Sequence, residues 1–349
     1  MSEPIKRLRE WVHPEKLDWY WLSENPEAIH LLEQNLDKIY WDRLSLNPKA
    51  IYILEKNLDK INWKYLSYNP AAIHILEQNL DKIDWDFLST NPKAIHLLEQ
   101  NLNKINWDLL SKNPAAIHLL EKNPDKINWG WLSTNPAAIH LISKALEQNT
   151  GKIYWGWLSE NPAAIHILEQ NPDKIHWYGL SRNPAAIHIL EKNPDKIDWY
   201  GLSRNPEAIY ILEKNLDKIY WAALSINPAA IHLISEALEQ NPDKIDWSQL
   251  SSNPAAIHLL EKNLDKIDWD MLSGNTAAIH LLERNPDKIN WDELSSNPAI
   301  FTYDYDKIKE HMETTGIKDE LIAYYYRPEN IHKFVERGDL LEDFNSRWS

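Results

Sequence analysis

Ten histidines recur at matching positions along the chain: His30, His74, His96, His118, His140, His166, His188, His232, His258 and His280. Imidazole can transfer protons near neutral pH and can ligate metals, so this ladder is the first place to look for chemistry. Tyr52 and Tyr210 occupy two further positions of the same series. A repeated proton-transfer or metal role would not tolerate phenol there. The other residue types that carry chemistry are sparse. The chain has no cysteine, which removes disulfides, thiolate zinc sites and thiol nucleophiles together. It also shows no Gly-rich phosphate loop, no GxSxG, no HExxH and no EF-hand loop.

The elements that position these histidines are copies of one unit. A Trp following "KIx" occurs at 19, 41, 63, 85, 107, 129, 155, 177, 199, 221, 247, 269 and 291. The spacing is 22 residues, except for two units of 26. A fixed period of this size marks a solenoid. In "NPAAIHLLEKNPDKINW" (113–129), Asn113 suits an N-cap and Pro114 the first helical position. Ala116, Ile117 and Leu120 fall on one helix face. Asn123 is placed to end the helix in a left-handed conformation. Asn128 can cap a second, short helix, "WGWLS", with room for some 3-10 character. The two long units read "HLISKALEQN" and "HLISEALEQN" where the others read "HLLEQN". Four added residues make close to one α-helical turn and keep the buried face in register. Those units lie 92 residues apart, as duplication of a four-unit block would leave them. A leucine-rich-repeat horseshoe would need an "LxxLxL" strand in each unit, and that pattern is missing.

The expected fold is therefore an all-α solenoid of about thirteen two-helix layers, with the second helix short or 3-10. The expected boundaries are an N-terminal cap at 1–18, the solenoid at 19–299 and a C-terminal helical cap at 300–349. "PIKRLREWV" would form a polar-faced first helix. Residues 304–349 would form two or three helices, with stops at Gly316 and Gly338 and a start near Pro328.

On this fold the His ladder is read as structural. His118 lies well away from the apolar face on a 100° wheel. Successive rings would be one layer apart, about 8–10 Å, whereas zinc ligands lie about 2.0–2.1 Å from the metal. Each ring, with one polar tip, would bond to the adjacent layer's loop. The Trp column is read as core filler. The Asp125/Lys126 pairs and Glu121 are read as solvated charge rows.

The slots where the copies differ say more about binding. They are the two positions after each Trp and the one between Ser and Asn. Outer units carry Asp42/Arg43 and Asp292/Glu293 there. Central units carry Gly130/Trp131, Gly156/Trp157, Tyr178/Gly179 and Tyr200/Gly201, with Arg182 and Arg204 in the third slot and His176 before Trp177. The centre loses acid and gains aromatic rings and Arg, residues enriched at interface hot spots. Trp131, Trp157, Tyr178, Arg182, Tyr200 and Arg204 are the candidate partner-binding residues. A second reading has these aromatics packing between layers where Gly makes room.

The net charge of −15 disfavours a general affinity for nucleic acid phosphate. No run approaches the roughly 18–20 apolar residues of a membrane span, and "MSEPIKRLREWV" is unlike a signal peptide. A soluble, cytoplasmic protein is expected.

The "LSxNPxAIxLLExNPDKIxW" unit, over roughly residues 11–299, resembles short repeats in proteins encoded by giant DNA viruses of protists. The ending "DELIAYYYRPENIHKFVERGDLLEDF" is similar to the tail that often closes such proteins, though it departs in detail. More distantly, "LSxNP…LLExNPD" looks like leucine-rich-variant repeats, in which an α-helix and a 3-10 helix alternate in a superhelix. The resemblance implies a viral origin, in host cytoplasm or virion, and no particular reaction. The expected function is a non-enzymatic protein-interaction scaffold without cofactor or metal. Its partner would be a protein of host or virion. The alternative is a structural, self-associating virion component, and the chain itself is expected to be a monomer or to associate end to end.

Overall fold

The computed structural model describes residues 6–149 and 152–315. Two compact units emerge: a repeat unit, Glu10–Ile300, and a second unit made of the segments flanking it.

The repeat unit is an all-α solenoid of thirteen layers, numbered here 1 to 13 from Trp19 to Trp291. Each layer opens with a short α-helix that starts at its Trp, such as Trp129–Ser133. In layer 5, and in several others, a 3-10 turn (Pro114–Ala116) then leads into a second α-helix (Ile117–Lys122) and a further 3-10 turn (Pro124–Lys126). The Trp helix is thus short and α-helical, and the 3-10 geometry falls on the two Pro-led turns, where Pro presets the backbone. The long units place their four extra residues as an added helical turn, giving Ile139–Glu147 and Ile231–Gln240.

The layers are held by buried columns. Ala116, Leu119 and Leu120 are buried, and so are Ile127 and Leu132. Ile117 is only half-buried, so the apolar face is rotated from the one read off a single helix wheel. Each helix is covered by two neighbouring layers as well as its own, and that wider contact reaches Leu119.

Polar columns run beside the apolar ones. Asn113 caps its helix as expected, accepting the Ala115 N–H at 3.0 Å. Its side-chain NH2 also donates to the Ser89 and Asn91 carbonyls of the preceding layer, at 3.1 and 3.2 Å. Ser111 Oγ donates to the Trp107 carbonyl and accepts the Asn128 N–H of the next layer. Both columns are buried in every layer, where an unmade hydrogen bond costs about 1–3 kcal/mol. Asn123 ends its helix differently from the expectation. Its φ of −133° is not left-handed, and its side-chain NH2 caps the Leu119 carbonyl at 2.9 Å. The amide does the work that a left-handed backbone would otherwise do. Among the described residues only Asn149, at the end of a long helix, is a non-Gly residue with positive φ, 51°.

The same ladder joins the last layer to the first. The residue before each Trp donates its N–H to the Ser of the preceding layer, as Tyr40 does to Ser23 at 3.0 Å. Asp18, before the first Trp, donates to Ser295 of layer 13 at 2.8 Å. Asn25 donates to the Ser295 carbonyl at 3.1 Å, as Asn47 does to that of Ser23. The layer 1 and layer 13 Trp helices, Trp19–Glu24 and Trp291–Ser296, pack on each other like any successive pair. The repeat unit is therefore a closed ring of layers. The "HPEKLDW" stretch does not cap a free end. Its 3-10 turn, Pro14–Lys16, sets Lys16 over Trp291 as Lys38 sits over Trp19, and so completes layer 13.

In the second unit Lys6–Leu8 (β1) pairs antiparallel with Phe301–Tyr303 (β2), Lys6 opposite Tyr303. Lys6–Leu8 is thus a strand, not the start of a polar-faced helix. Lys6 and Leu8 are half-buried and Arg7 between them is exposed, the alternation of a strand that has a partner. A helix, Tyr305–Thr315, follows, capped by Asp304, which accepts the Lys307 N–H. The expected stops at Gly316 and Gly338 and the start near Pro328 lie outside the described residues.

Candidate functional site

The histidines stand on the second helix of each layer, half to fully exposed. His118 Nε2 lies 2.7 Å from Glu99 Oε1 of the preceding layer. The same contact, at 2.5–2.9 Å, links His74 to Glu55, His96 to Glu77, His140 to Glu121, His188 to Glu169, His232 to Glu213 and His280 to Glu261. The partner is a helix carboxylate, where a loop group was expected. His166 and His258 follow the two long layers, whose equivalents of that Glu are Ser143 and Ser235. His30 instead contacts Gln34 on its own helix at 3.0 Å. Tyr52 and Tyr210 hold Lys56 and Lys214 over their rings. Among the described residues no three His, Asp or Glu side chains converge as a metal site would require.

The Trp column is half-exposed and so is not the buried filler expected of it. The Lys of the following "DKI" lies over the indole: Lys38 on Trp19, Lys60 on Trp41, Lys196 on Trp177 and Lys218 on Trp199, all at 4.8–4.9 Å. Part of the charge row is thus a cation–π column, each Lys closing its own layer over that layer's Trp.

The variable slots form one face, opposite the buried Leu and Ser of each Trp helix. Their residues meet between layers in two registers. The residue after Trp meets the residue before the next Trp, as Asn62 donates to Asp42 and Asn128 to Asp108. The residue after Ser meets the second residue after the next Trp, as Glu24 pairs with Arg43 at 3.1 Å. Desolvation opposes the Arg43 charge, but bonds to the Tyr20 hydroxyl and Glu24 hold its pKa above the ordinary value.

This face carries aromatic rings in layers 1, 3 and 4, with Tyr20, Trp21, Tyr65 and Phe87, and again in the centre. Trp131 and Trp157 stack with centroids 5.0 Å apart, and Tyr154 stacks on Trp157 at 5.4 Å. Lys112 Nζ lies 3.2 Å from the Trp131 ring centroid. Gly130 makes this possible: a Cβ there would sit 3.0 Å from Trp157. Tyr178 and Tyr200 are 39% and 42% exposed, and Trp157 is 40% exposed. Arg182 donates to the Tyr178 hydroxyl at 3.3 Å, its stem lying 3.1 Å from where a Gly201 Cβ would be. Tyr200 meets Tyr220 edge-on at 5.9 Å. Arg204 is exposed.

The six candidates therefore share a face but form separate contacts: a Trp131–Trp157 stack, a Tyr178–Arg182 pair, Tyr200 against Tyr220, and Arg204. The rings pack between layers where Gly clears space, as the second sequence reading has it, and still show solvent a large surface. Tyr154, Tyr220 and Lys112 belong to the same face. The period had hidden them, because they occupy slots that are polar or non-aromatic in most copies. Among the described residues no helix is long and apolar enough to cross a membrane. No family model, curated protein or solved structure matches the chain.

Proposed function

We infer that this ring of helical repeats is a non-enzymatic scaffold that binds a protein through the aromatic face of layers 6 to 9. One observation carries the reading. Trp157, Tyr178 and Tyr200 each keep about two-fifths of their surface exposed, and Tyr178 and Tyr200 do so in a slot that six other layers fill with Asp or Lys. Exposed aromatic clusters beside Arg are costly unless covered and have the composition of interface hot spots. The resemblance to giant-virus repeats makes a host or virion protein the natural partner.

A self-associating virion component is the second reading. An open stack would associate through its two end layers. Here those layers bond to each other, which favours the scaffold. The test is capture of partners from a host lysate by wild type and by a Trp157→Ala/Tyr200→Ala variant with unchanged far-UV circular dichroism. Partners lost with the variant support the reading. Identical capture by both forms would sink it.

A further inference from the structure

The central face differs from the rest of the variable row in its charge. The chain carries a net charge of −15, and Arg43, elsewhere on that row, is neutralised by Glu24 of the preceding layer. Arg182 and Arg204 have no such acid. Among the described residues the only side-chain hydrogen bond that Arg182 makes is to the neutral Tyr178 hydroxyl. Glycine at position 201 lets the Arg182 stem lie flat across the next layer, with its guanidinium beside an exposed ring. Arg204 occupies the equivalent slot one layer on and makes no side-chain hydrogen bond or ion pair among the described residues. Lys112 tops the adjoining Trp131–Trp157 stack. Two guanidinium groups thus stand one layer apart, partly preorganised, next to exposed aromatic rings.

One layer is about 8–10 Å. A peptide in the polyproline II conformation advances about 3.1 Å per residue with about three residues per turn, so side chains three positions apart lie on one face and match one layer step. Carboxylates are the groups that a fork of guanidinium donors recognises best in a peptide. Aromatic or Pro side chains would cover the exposed rings.

Resting on the scaffold reading above, we propose that the occupant of this face is an acidic peptide segment in the polyproline II conformation whose carboxylates, three residues apart, bind Arg182 and Arg204 while its neighbouring side chains cover Trp157, Tyr178 and Tyr200. The acid spacing is the specific content of the proposal, because it follows from the layer repeat.

The test uses the full chain and fluorescein-labelled peptides of about twelve residues, enough to cross several layers at about 3.1 Å per residue. Each peptide carries a pair of Glu on a Ser/Pro/Tyr background, with the pair set at varied spacings. Binding is read by fluorescence anisotropy. The three-position spacing should bind about tenfold tighter than the others, and Arg182→Gln with Arg204→Gln should remove that preference. Arg182→Glu with Arg204→Glu should switch preference to a matched peptide that carries Lys in place of each Glu, a gain that misfolding would not produce. Binding indifferent to spacing, or equal binding of a thymidine oligonucleotide of matched charge, overturns the proposal. If no peptide binds but lysate capture still depends on Trp157 and Tyr200, the acidic-peptide assignment falls and the scaffold reading stands. If capture is also independent of them, both fall.

Discussion

At the scale of single residues, the Asn and His columns have opposite weight despite equal regularity. Asn183 is fully buried, accepts the Ala185 N–H and donates to the Ser159 and Asn161 carbonyls. Replacing it with Ala leaves buried groups unsatisfied on two layers, and about 2–4 kcal/mol should be lost. Asn183→Asp should be worse than Asn183→Ala, because a carboxylate would face two carbonyl oxygens. Urea unfolding midpoints check both. The His118–Glu99 pair has both side chains more than two-fifths exposed, where ion pairs contribute little. His118→Tyr should shift stability by under about 1 kcal/mol, in keeping with the Tyr that two other layers carry there. A larger loss from His118→Tyr than from Asn183→Ala would reverse this ranking.

At the scale of elements, the glycines of the Trp helices test how the central layers fit together. A Cβ on Gly156 would meet nothing closer than 4.0 Å. Gly156→Ala should therefore stabilise the chain by up to about 1 kcal/mol through helix propensity. A Cβ on Gly179 would come within 2.9 Å of the Gly156 carbonyl oxygen, a backbone atom that can move only if the layers separate. Gly179→Ala should be destabilising, by about 1–3 kcal/mol. Gly130→Ala should displace Trp157 and abolish its stacking signal in near-UV circular dichroism. All three carry the same substitution at equivalent or adjacent helix positions, so helix propensity alone would shift them in the same direction. Opposite signs would show that contact with the neighbouring layer decides the outcome.

At the scale of the whole repeat unit, closure removes the free ends from which a solenoid frays. In an open stack the stability of each layer depends on its neighbours, and the first layer has only one. Here the Asp18 N–H is bonded to Ser295 much as Tyr40 is to Ser23. Native-state hydrogen exchange should protect Asp18 to the same degree as Tyr40. Fast exchange at Asp18 would mean that the ring opens at this junction. Deleting one complete layer, residues 177–198, forces the remaining twelve to turn more sharply at every junction. The deletion should break the contact between the first and last layers and drive association, seen by light scattering. An open array would merely lose one layer's worth of stability.

The sequence by itself determined the layer. Its period, the Asn–Pro helix start, the cap before each Trp and the single added turn in the long units all rest on residues close along the chain. Layer-to-layer bonds recur at separations such as 17, 22 and 24 residues, so one unit and its neighbour contain the information for most of the fold. The variable slots were legible for the same reason: departures stand out against thirteen copies. What those slots contact was not, because Arg182 rests on Gly201 and Trp131 on Trp157 across layers, beyond the reach of a helix wheel. The wheel misplaced Ile117 and Leu119 for the same cause. Closure was decided by the tertiary structure alone. The bond from Asp18 to Ser295 spans 277 residues, and whether those residues meet depends on the small turn between successive layers, summed around the whole stack. Each turn is a matter of side-chain fit at one junction, and no local pattern records the sum.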